Sequence, residues 1–193
     1  HRFPDRSRVS TETLRGDRRG CQAVGDLVVV ARLVDAAARL RDDVEPFADA
    51  LVEGALVDCV YNPLAYAWQP HRAYLEMAGV GGAKTLLLGM NPGPHGMGQM
   101  GIPFAATAMV RNLLGIRDLH VEQPRTPHPK RPVSGLDWPK EEVSGTRLWG
   151  LLAEHYGDAE NILSNVFLVN HCPLMLFAGE RATNITPDKI AGE

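Results

Sequence analysis

The first long apolar pattern in the chain has the period of a helix. From Asp26 to about Leu56 apolar residues recur every three or four positions, as they do in an amphipathic helix. Pro46 lies inside this stretch and is predicted to divide it into two helices, because proline lacks the N–H that a helix interior needs. Residues 1–25 are rich in Arg and Gly and have no apolar period. We expect 1–25 to be a disordered or non-native extension and 26–193 to form one domain.

Two later apolar runs are short enough to be buried strands. KTLLLGM covers residues 84–90 and NVFLVNHC covers residues 165–172, and both end at a turn that contains proline. Helices are predicted at 70–77, 107–114 and 144–155, and a Pro-rich loop at 117–141. Helices that alternate with apolar strands predict an α/β fold with a short parallel sheet, in which ligands bind beyond the carboxyl ends of the strands. Asn91 and Asn170 follow the two strands and are therefore expected side by side.

Composition narrows the classes of partner. With 193 residues and a formal charge of −3, the chain does not have the bulk positive charge that binds nucleic acid by itself, so any DNA contact must be local. The sequence HPKRP at 128–132 offers such a patch, with Lys130 and Arg131 as candidate DNA contacts. No apolar run reaches the roughly 20 residues that cross a bilayer. We therefore expect a protein without a membrane segment.

Cysteine and histidine spacing argues against a metal site. Cys21, Cys59 and Cys172 are far apart, which fits reduced thiols in an intracellular protein better than a disulfide framework or a CxxC metal site. The histidines show no HxxxH-type pairing. We expect no metal and no cofactor.

Three residues carry candidate chemistry, two at the strand ends and one, Phe104, after Gly-Ile-Pro at 101–103. Asn91 lies within Gly-Met-Asn-Pro-Gly-Pro, where two prolines fix the backbone and two glycines let a ligand approach closely. Phe104 could stack on a planar base. The amide of Asn170 both donates and accepts, which matches the N3–H and O4 of uracil. Taken alone, the Asn91 turn is equally compatible with a structural role, and a lone Phe104 or Asn170 is more often structural.

Six sequence blocks together are far more specific. The blocks are YNPLAYAWQPHRAYL (61–75), LLLGMNPGPHGMGQMGIPF (86–104), MVRNLLGI (109–116), HPKRPVSGL (128–136), EVSGTRLWG (142–150) and NHCPLMLF with ATNITP (170–187). Through these blocks, over about residues 58–187, the chain resembles the single-strand-selective monofunctional uracil-DNA glycosylases, which form family 3 of the uracil-DNA glycosylase superfamily. This chain has neither the Asp-Pro-Tyr-His motif of one related branch nor the four cysteines of the iron–sulfur branch.

The resemblance implies a three-layer α/β/α sandwich and a repair enzyme that hydrolyses the N-glycosidic bond of uracil, and of C5-oxidised uracils, in single- and double-stranded DNA. By similarity, Asn91 positions the water against C1′, Phe104 stacks on the base and Asn170 binds its edge, while Met90 and Gly93 complete the pocket. No Lys lies among the matched pocket residues, so base removal without strand cleavage is expected. We expect a monomer that acts on DNA in the cytoplasm of a bacterium or the nucleus of a eukaryote.

The chain also departs from the family. Family members continue through two further strands and a His-Pro-Ser-Pro motif whose His contacts uracil O2, whereas neither His128-Pro129 nor His171-Cys172 is followed by Ser-Pro here. The chain therefore resembles the N-terminal portion of the domain, with an open sheet edge expected. One alternative function is a module that binds uracil or single-stranded DNA without turnover. A phosphate-binding loop is disfavoured, because neither GxGxxG nor GxxxxGK[ST] is present.

Overall fold

The computed structural model describes the backbone of residues 11–190 and the side chains of residues 24–190. Two short 3₁₀ helices, Gly135–Asp137 and Pro187–Lys189, accompany eight α-helices and five strands in this range. The helices are α1 Thr11–Asp43, α2 Glu45–Glu53, α3 Pro63–Tyr66, α4 Trp68–Gly81, α5 Met97–Met100, α6 Thr107–Asn112, α7 Val143–Tyr156 and α8 Ala159–Leu163. The strands are β1 Cys59–Tyr61, β2 Thr85–Gly89, β3 Val166–Asn170, β4 Met175–Ala178 and β5 Thr183–Ile185.

The first helix is longer than the sequence pattern predicts. α1 begins at Thr11, so residues 11–25, which were expected to belong to an extension, are helical. The boundary expected at residue 25 therefore lies inside α1. Extending a helix that is already formed costs far less than nucleating one, so Arg- and Gly-rich residues can continue it. Residues 1–10 of the expected extension lie outside the described residues. The predicted break at Pro46 is confirmed, since α1 ends at Asp43 and the proline lies in the first turn of α2.

The strands form two separate sheets. β2 and β3 pair in parallel, and their pairing begins at Thr85 opposite Val166. β1, β4 and β5 form a second sheet that is antiparallel throughout, in the order β1-β4-β5. The expected fold class is therefore confirmed for the α/β character and the short parallel sheet. The antiparallel sheet was not expected, because its strands are only three or four residues long and show no clear alternation.

The main hydrophobic core lies between β3 and helices α4, α7 and α8. Trp149 and Leu168 are completely buried in it. α1 packs on α4 at Gly79, where a Cβ atom would lie 2.8 Å from a Val30 methyl carbon, so glycine permits the close approach of the two helices. One face of β2 is not covered within the described residues, since Leu86 and Leu88 are 59% and 60% exposed.

Candidate active site

The parallel register brings the two predicted asparagines to one edge of the sheet. Gly89 lies opposite Asn170. The pairing continues past the strand ends, where the N–H of His171 donates to the carbonyl of Gly89 at 2.8 Å and the N–H of Cys172 donates to the carbonyl of Met90 at 2.9 Å. Asn91 follows directly. Both amides therefore lie at the carboxyl ends of neighbouring strands, where ligands bind in α/β folds.

A cavity of about 120 Å³ opens at this edge. It is well below the roughly 300–1,000 Å³ of pockets for drug-sized ligands, so its size suits one small planar ring. All five residues predicted for catalysis and base binding line it, and three further residues line it that the sequence did not suggest. The predicted set is Met90, Asn91, Gly93, Phe104 and Asn170, and the additional set is Met97, Glu142 and Ser144.

Gly89 allows Phe104 and Asn170 to meet over the end of β2. A Cβ atom at Gly89 would lie 2.2 Å from Asn170 Oδ1 and 2.6 Å from Phe104 Cζ. Any side chain at this position would displace both groups, so glycine is required here by close approach. The aromatic ring and the amide thus share one corner of the cavity, where they can contact a face and an edge of the same planar ligand.

Phe104 is held in an unusual backbone conformation. Its φ angle is +54°, in the left-handed region that non-glycine residues rarely adopt. The neighbouring helix α7 accommodates this turn at Gly145, where a Cβ atom would lie 2.2 Å from the carbonyl oxygen of Phe104. Such backbone strain is of order 1–3 kcal/mol and persists only where the surrounding structure imposes it.

The amide group of Asn91 has a defined orientation. Its Nδ2 donates to the carbonyl oxygen of Ile185, at the end of β5, at 3.1 Å. This bond uses the nitrogen, so the amide oxygen is left as an acceptor for a water molecule or another donor. The antiparallel sheet therefore orients a side chain that belongs to the end of the parallel sheet.

Asn170 is held more loosely. Its Nδ2 donates to the Met97 sulfur at 3.0 Å. A thioether is a weak acceptor, so this nitrogen can exchange the sulfur for a ligand carbonyl at small cost. The Asn170 amide is consequently available to read the donor and acceptor pattern of a base.

A carboxylate lies in the same cavity. Glu142 precedes the first residue of α7, yet it makes no side-chain bond to the free N–H groups of that helix. Its side chain turns toward Gly93, where a Cβ atom would lie 2.9 Å from Glu142 Oε2, and Ser144 Oγ donates to its other oxygen at 3.2 Å. An ionised carboxylate only accepts hydrogen bonds, so Glu142 can hold water or another donor in the cavity.

Gln99 fixes the loop that carries Asn91 and Gly93. This side chain is 3% exposed. Its Nε2 donates to the carbonyls of Pro94 at 2.9 Å and Pro132 at 3.1 Å, and its Oε1 accepts from the N–H of Ser134 at 2.8 Å. One amide thereby ties the 91–96 segment to the loop that follows the basic patch.

The predicted DNA contacts Lys130 and Arg131 do not line the cavity. Tyr61 holds their loop, because its hydroxyl accepts from the N–H of His128 at 2.7 Å and donates to the carbonyl of Arg131 at 2.9 Å. The Arg131 guanidinium donates to the carbonyl of Ala182 and lies 5.4 Å from the centre of the Phe177 ring. The Lys130 ammonium donates to the carbonyl of Glu180. Both cations therefore lie beside the β4–β5 hairpin.

A larger cavity lies elsewhere. A groove of about 670 Å³ lies between α2, β1 and residues 122–129. Its walls carry five acidic side chains, Glu45, Asp49, Glu53, Asp58 and Glu122, and Arg125 pairs with Asp49 within it. A mainly acidic surface repels phosphates, so this groove is not suited to DNA.

Residues 11–190 were expected to hold no metal and no membrane segment. In that part of the chain no group of three or more His, Cys, Asp or Glu is arranged to hold a metal ion. Cys59 and Cys172 are free thiols, and burial raises the pKa of both. Among the helices of residues 11–190, none has the length and apolar character needed to span a membrane.

The additional lining residues carry no strong signal in the sequence. Glu142 stands next to another acid in a polar loop, which is typical of a solvated surface. Met97 lies in a Gly- and Met-rich loop whose path the pattern does not define. The Asn91–Ile185 contact joins positions 94 residues apart, and no local pattern indicates such a contact.

Comparison with known proteins found homologues but no matching family model. A Bos taurus protein named single-strand selective monofunctional uracil DNA glycosylase is 47% identical over 135 residues, covering 70% of this chain and 49% of that protein. Proteins of the same name are 41% identical in Rattus norvegicus and 44% identical in Mus musculus, covering 74% and 69% of this chain and 57% and 47% of those proteins. The chain thus spans about half the length of the curated relatives it matches.

One solved structure is also similar. It is the crystal structure of wild-type Pedobacter heparinus SMUG2, which shares 17% sequence identity and covers 66% of this chain and 49% of that chain. The TM-score is 0.41, which is too low to establish a common fold.

Proposed function

We propose that this chain, which is homologous to the single-strand selective monofunctional uracil-DNA glycosylases, binds a uracil base of DNA in the 120 Å³ cavity and hydrolyses its N-glycosidic bond. The observation that carries this proposal is the convergence of Asn91, Phe104 and Asn170 on one cavity at the strand ends. The product would be an abasic site, and uracils oxidised at C5 would also be substrates. DNA in single- or double-stranded form is the partner, and an intracellular location follows from that substrate.

The base reaches this cavity only outside the duplex stack. A target nucleotide must be extruded, or presented in a single strand, before its C1′ atom can be attacked. Phe104 then stacks on the ring, which contributes about 1–3 kcal/mol per base. The Asn170 amide exchanges its contact with the Met97 sulfur for the N3–H and O4 edge of uracil.

Asn91 supplies the acceptor for water. Because its Nδ2 is bound to the Ile185 carbonyl, its Oδ1 can accept a hydrogen from the attacking water. An amide is a very weak base, so the C1′–N1 bond must break first, with the electron pair leaving on uracil and an oxocarbenium-like sugar remaining. Water then bonds to C1′ and releases its proton to solvent.

Strand cleavage is not expected from this site. The lining of the cavity, within the described residues, contains no lysine that could form a Schiff base with the sugar. The proposed reaction is therefore monofunctional.

The uncovered face of β2 bears on the fold of the whole protein. We expect a further layer of helices to cover this face of the β2–β3 sheet, as in a three-layer α/β/α sandwich, because Leu86 and Leu88 expose apolar surface there. The greater length of the relatives is consistent with this arrangement.

A second function is favoured by one specific feature of the cavity. Among the described residues, no histidine, lysine or arginine lines it, so no cation is placed against the leaving base. Loss of one donor to a developing anion costs about 10²–10³ in rate in other enzymes. Without such a donor the chain would act as a module that binds uracil or single-stranded DNA with little turnover.

A single-turnover assay separates these functions. A single-stranded oligonucleotide with one uracil is incubated with the chain and then treated with alkali, which reveals abasic sites. Cleavage that Asn91→Ala abolishes supports the glycosylase. Asn161→Ala is the matched control, because Asn161 is exposed on α8 and does not line the cavity. Absence of cleavage, with uracil-dependent binding that Asn170→Ala removes, supports the binding module. If the chain shows neither cleavage after alkali nor uracil-dependent binding, the proposal is contradicted.

A further inference from the structure

The proposed function does not use an aromatic pair that lies beside the cavity. The Trp138 indole N–H donates to His95 Nδ1 at 3.2 Å. The two rings are within 17° of parallel and their centres are 5.6 Å apart. Because the indole N–H lies in the plane of its ring, the rings lie edge to edge. The pair, which we call the His95–Trp138 plate, thus forms one extended, nearly flat aromatic surface.

The plate is next to the cavity in both chain and space. His95 comes two residues after Gly93, which lines the cavity. It is followed by Gly96, where a Cβ atom would lie 3.1 Å from Cγ of Glu142, another lining residue. Both rings of the plate are partly exposed. A ligand that fills the cavity would therefore have its neighbouring groups close to the plate.

The charges of two cations reach the plate. Burial lowers the pKa of His95, Glu142 opposes this shift, and the charges of Lys140 and Arg131 add to it. Within the described residues neither Lys140 nor Arg131 forms an ion pair, although the Arg131 guanidinium donates to the Ala182 carbonyl. Aromatic rings near cations are the combination by which proteins hold single-stranded nucleic acid. The neutral imidazole that accepts from Trp138 adds no charge of its own.

We propose that the His95–Trp138 plate stacks on a nucleobase next to the target nucleotide in single-stranded DNA, with Lys140 and Arg131 binding the adjoining phosphates. That the bound strand is DNA rests on the proposed function. The stacking itself requires neither a uracil in the strand nor hydrolysis of the strand's N-glycosidic bond. A paired duplex gains less from the plate, because its bases are already stacked on one another. The plate would thereby favour single-stranded substrates.

Binding of a uracil-free thymidine oligonucleotide to the 193-residue chain, followed by fluorescence anisotropy, tests the plate without any reaction. We expect Trp138→Ala and His95→Ala each to weaken binding by about 5- to 150-fold, the range that corresponds to one lost stacking contact. His95→Phe keeps a ring face and should restore most of the affinity. Binding of a fully paired duplex should change less than binding of the single strand. Equal single-strand affinity in Trp138→Ala, in His95→Ala and in the unchanged chain would overturn the proposal.

Tryptophan emission gives a second readout that does not depend on alanine variants folding. The chain has three tryptophans, of which Trp149 is completely buried. In a Trp68→Phe background, Trp138 is the remaining partly exposed indole, and a stacked base should quench its emission. Absence of quenching at saturating oligonucleotide would contradict the stacking.

Assays with and without uracil keep the two proposals apart. Asn161→Ala, the surface control on α8, should leave affinity for the uracil-free strand within about twofold, because Asn161 lies outside both the cavity and the plate. If the chain neither releases nor prefers uracil, while Trp138→Ala still weakens single-strand binding, the proposed function fails and the plate stands. If the unchanged chain binds no oligonucleotide, the plate is excluded.

Discussion

The Tyr74 hydroxyl satisfies both backbone groups of Leu168. It accepts from the Leu168 N–H at 3.0 Å and donates to the Leu168 carbonyl at 2.8 Å. Within the described residues β3 pairs only with β2, so these two groups face away from the sheet. A phenol from α4 thus takes the place of a neighbouring strand at the centre of β3, and burial raises its pKa, which keeps it protonated.

Tyr74→Phe should destabilise the chain by about 2–4 kcal/mol, because it leaves one buried donor and one buried acceptor without a partner. Urea denaturation followed by circular dichroism measures the loss. Tyr156→Phe is the matched control: it removes a hydroxyl from a less buried ring and should change stability by less than about 0.5 kcal/mol. Similar losses in the two variants would show that the hydroxyl does not cap the strand.

Gln99→Leu should weaken both stability and base binding. The substitution removes three hydrogen bonds to backbone groups while keeping a similar volume, and we expect a loss of about 2–4 kcal/mol. Because the 91–96 segment loses its link to Pro132 and Ser134, uracil release or uracil-dependent binding should fall as well. Gln123→Leu, which removes one bond from an exposed residue, should have little effect on either measurement. Unchanged uracil binding in a folded Gln99→Leu protein would contradict the positioning role.

Much of the site follows from local features of the sequence. The apolar runs that became β2 and β3 are five residues long in the structure, and their ends carry Asn91 and Asn170. A parallel pairing of two such strands is sufficient to bring both amides to one edge. Phe104 was proposed as a stacking residue from its aromatic ring, and the resemblance assigned it the same role. The Gly89 contact explains why its ring reaches the same corner.

The remaining features depend on contacts that are distant in the sequence. β4 and β5 are joined by Gly179, Glu180, Arg181 and Ala182, a turn that lacks the Asn-Gly or Asp-Gly signal of a tight hairpin. The hairpin was therefore not predicted, and neither was its Ile185 carbonyl as the partner of Asn91. Glu142 was missed because its side chain turns away from the helix that it precedes.

Two glycines of α7 should respond in opposite ways to alanine. A Cβ at Gly145 would lie 2.2 Å from the Phe104 carbonyl oxygen and 2.9 Å from that of Ala105, so Gly145→Ala must displace the backbone that carries Phe104. Gly150 has no atom within 4 Å of its would-be Cβ. Gly150→Ala should raise stability by about 0.5–1 kcal/mol, the usual gain in a helix, whereas Gly145→Ala should lower it and reduce uracil binding. Thermal melts of the two variants make the comparison, and a stabilising Gly145→Ala would show that Phe104 is not held by this contact.

His71 should make the fold sensitive to acid. Burial lowers its pKa from 6.5 to about 4, while its Nδ1–H donates to the Gly101 carbonyl at 2.7 Å. The unfolded chain binds the proton below about pH 6.5 and the folded chain only near pH 4, so stability is lost as the pH falls between these values. The loss of stability from this residue should be about 2–3 kcal/mol between roughly pH 7.5 and 4.5.

Urea midpoints at both pH values measure this loss. His71→Gln, which keeps a donor but does not titrate, should reduce the difference in stability between the two pH values by that amount. His155→Gln, on the surface of α7, should leave the difference unchanged; an equal pH dependence in His71→Gln and the unchanged chain would mean that other groups cause the acid sensitivity.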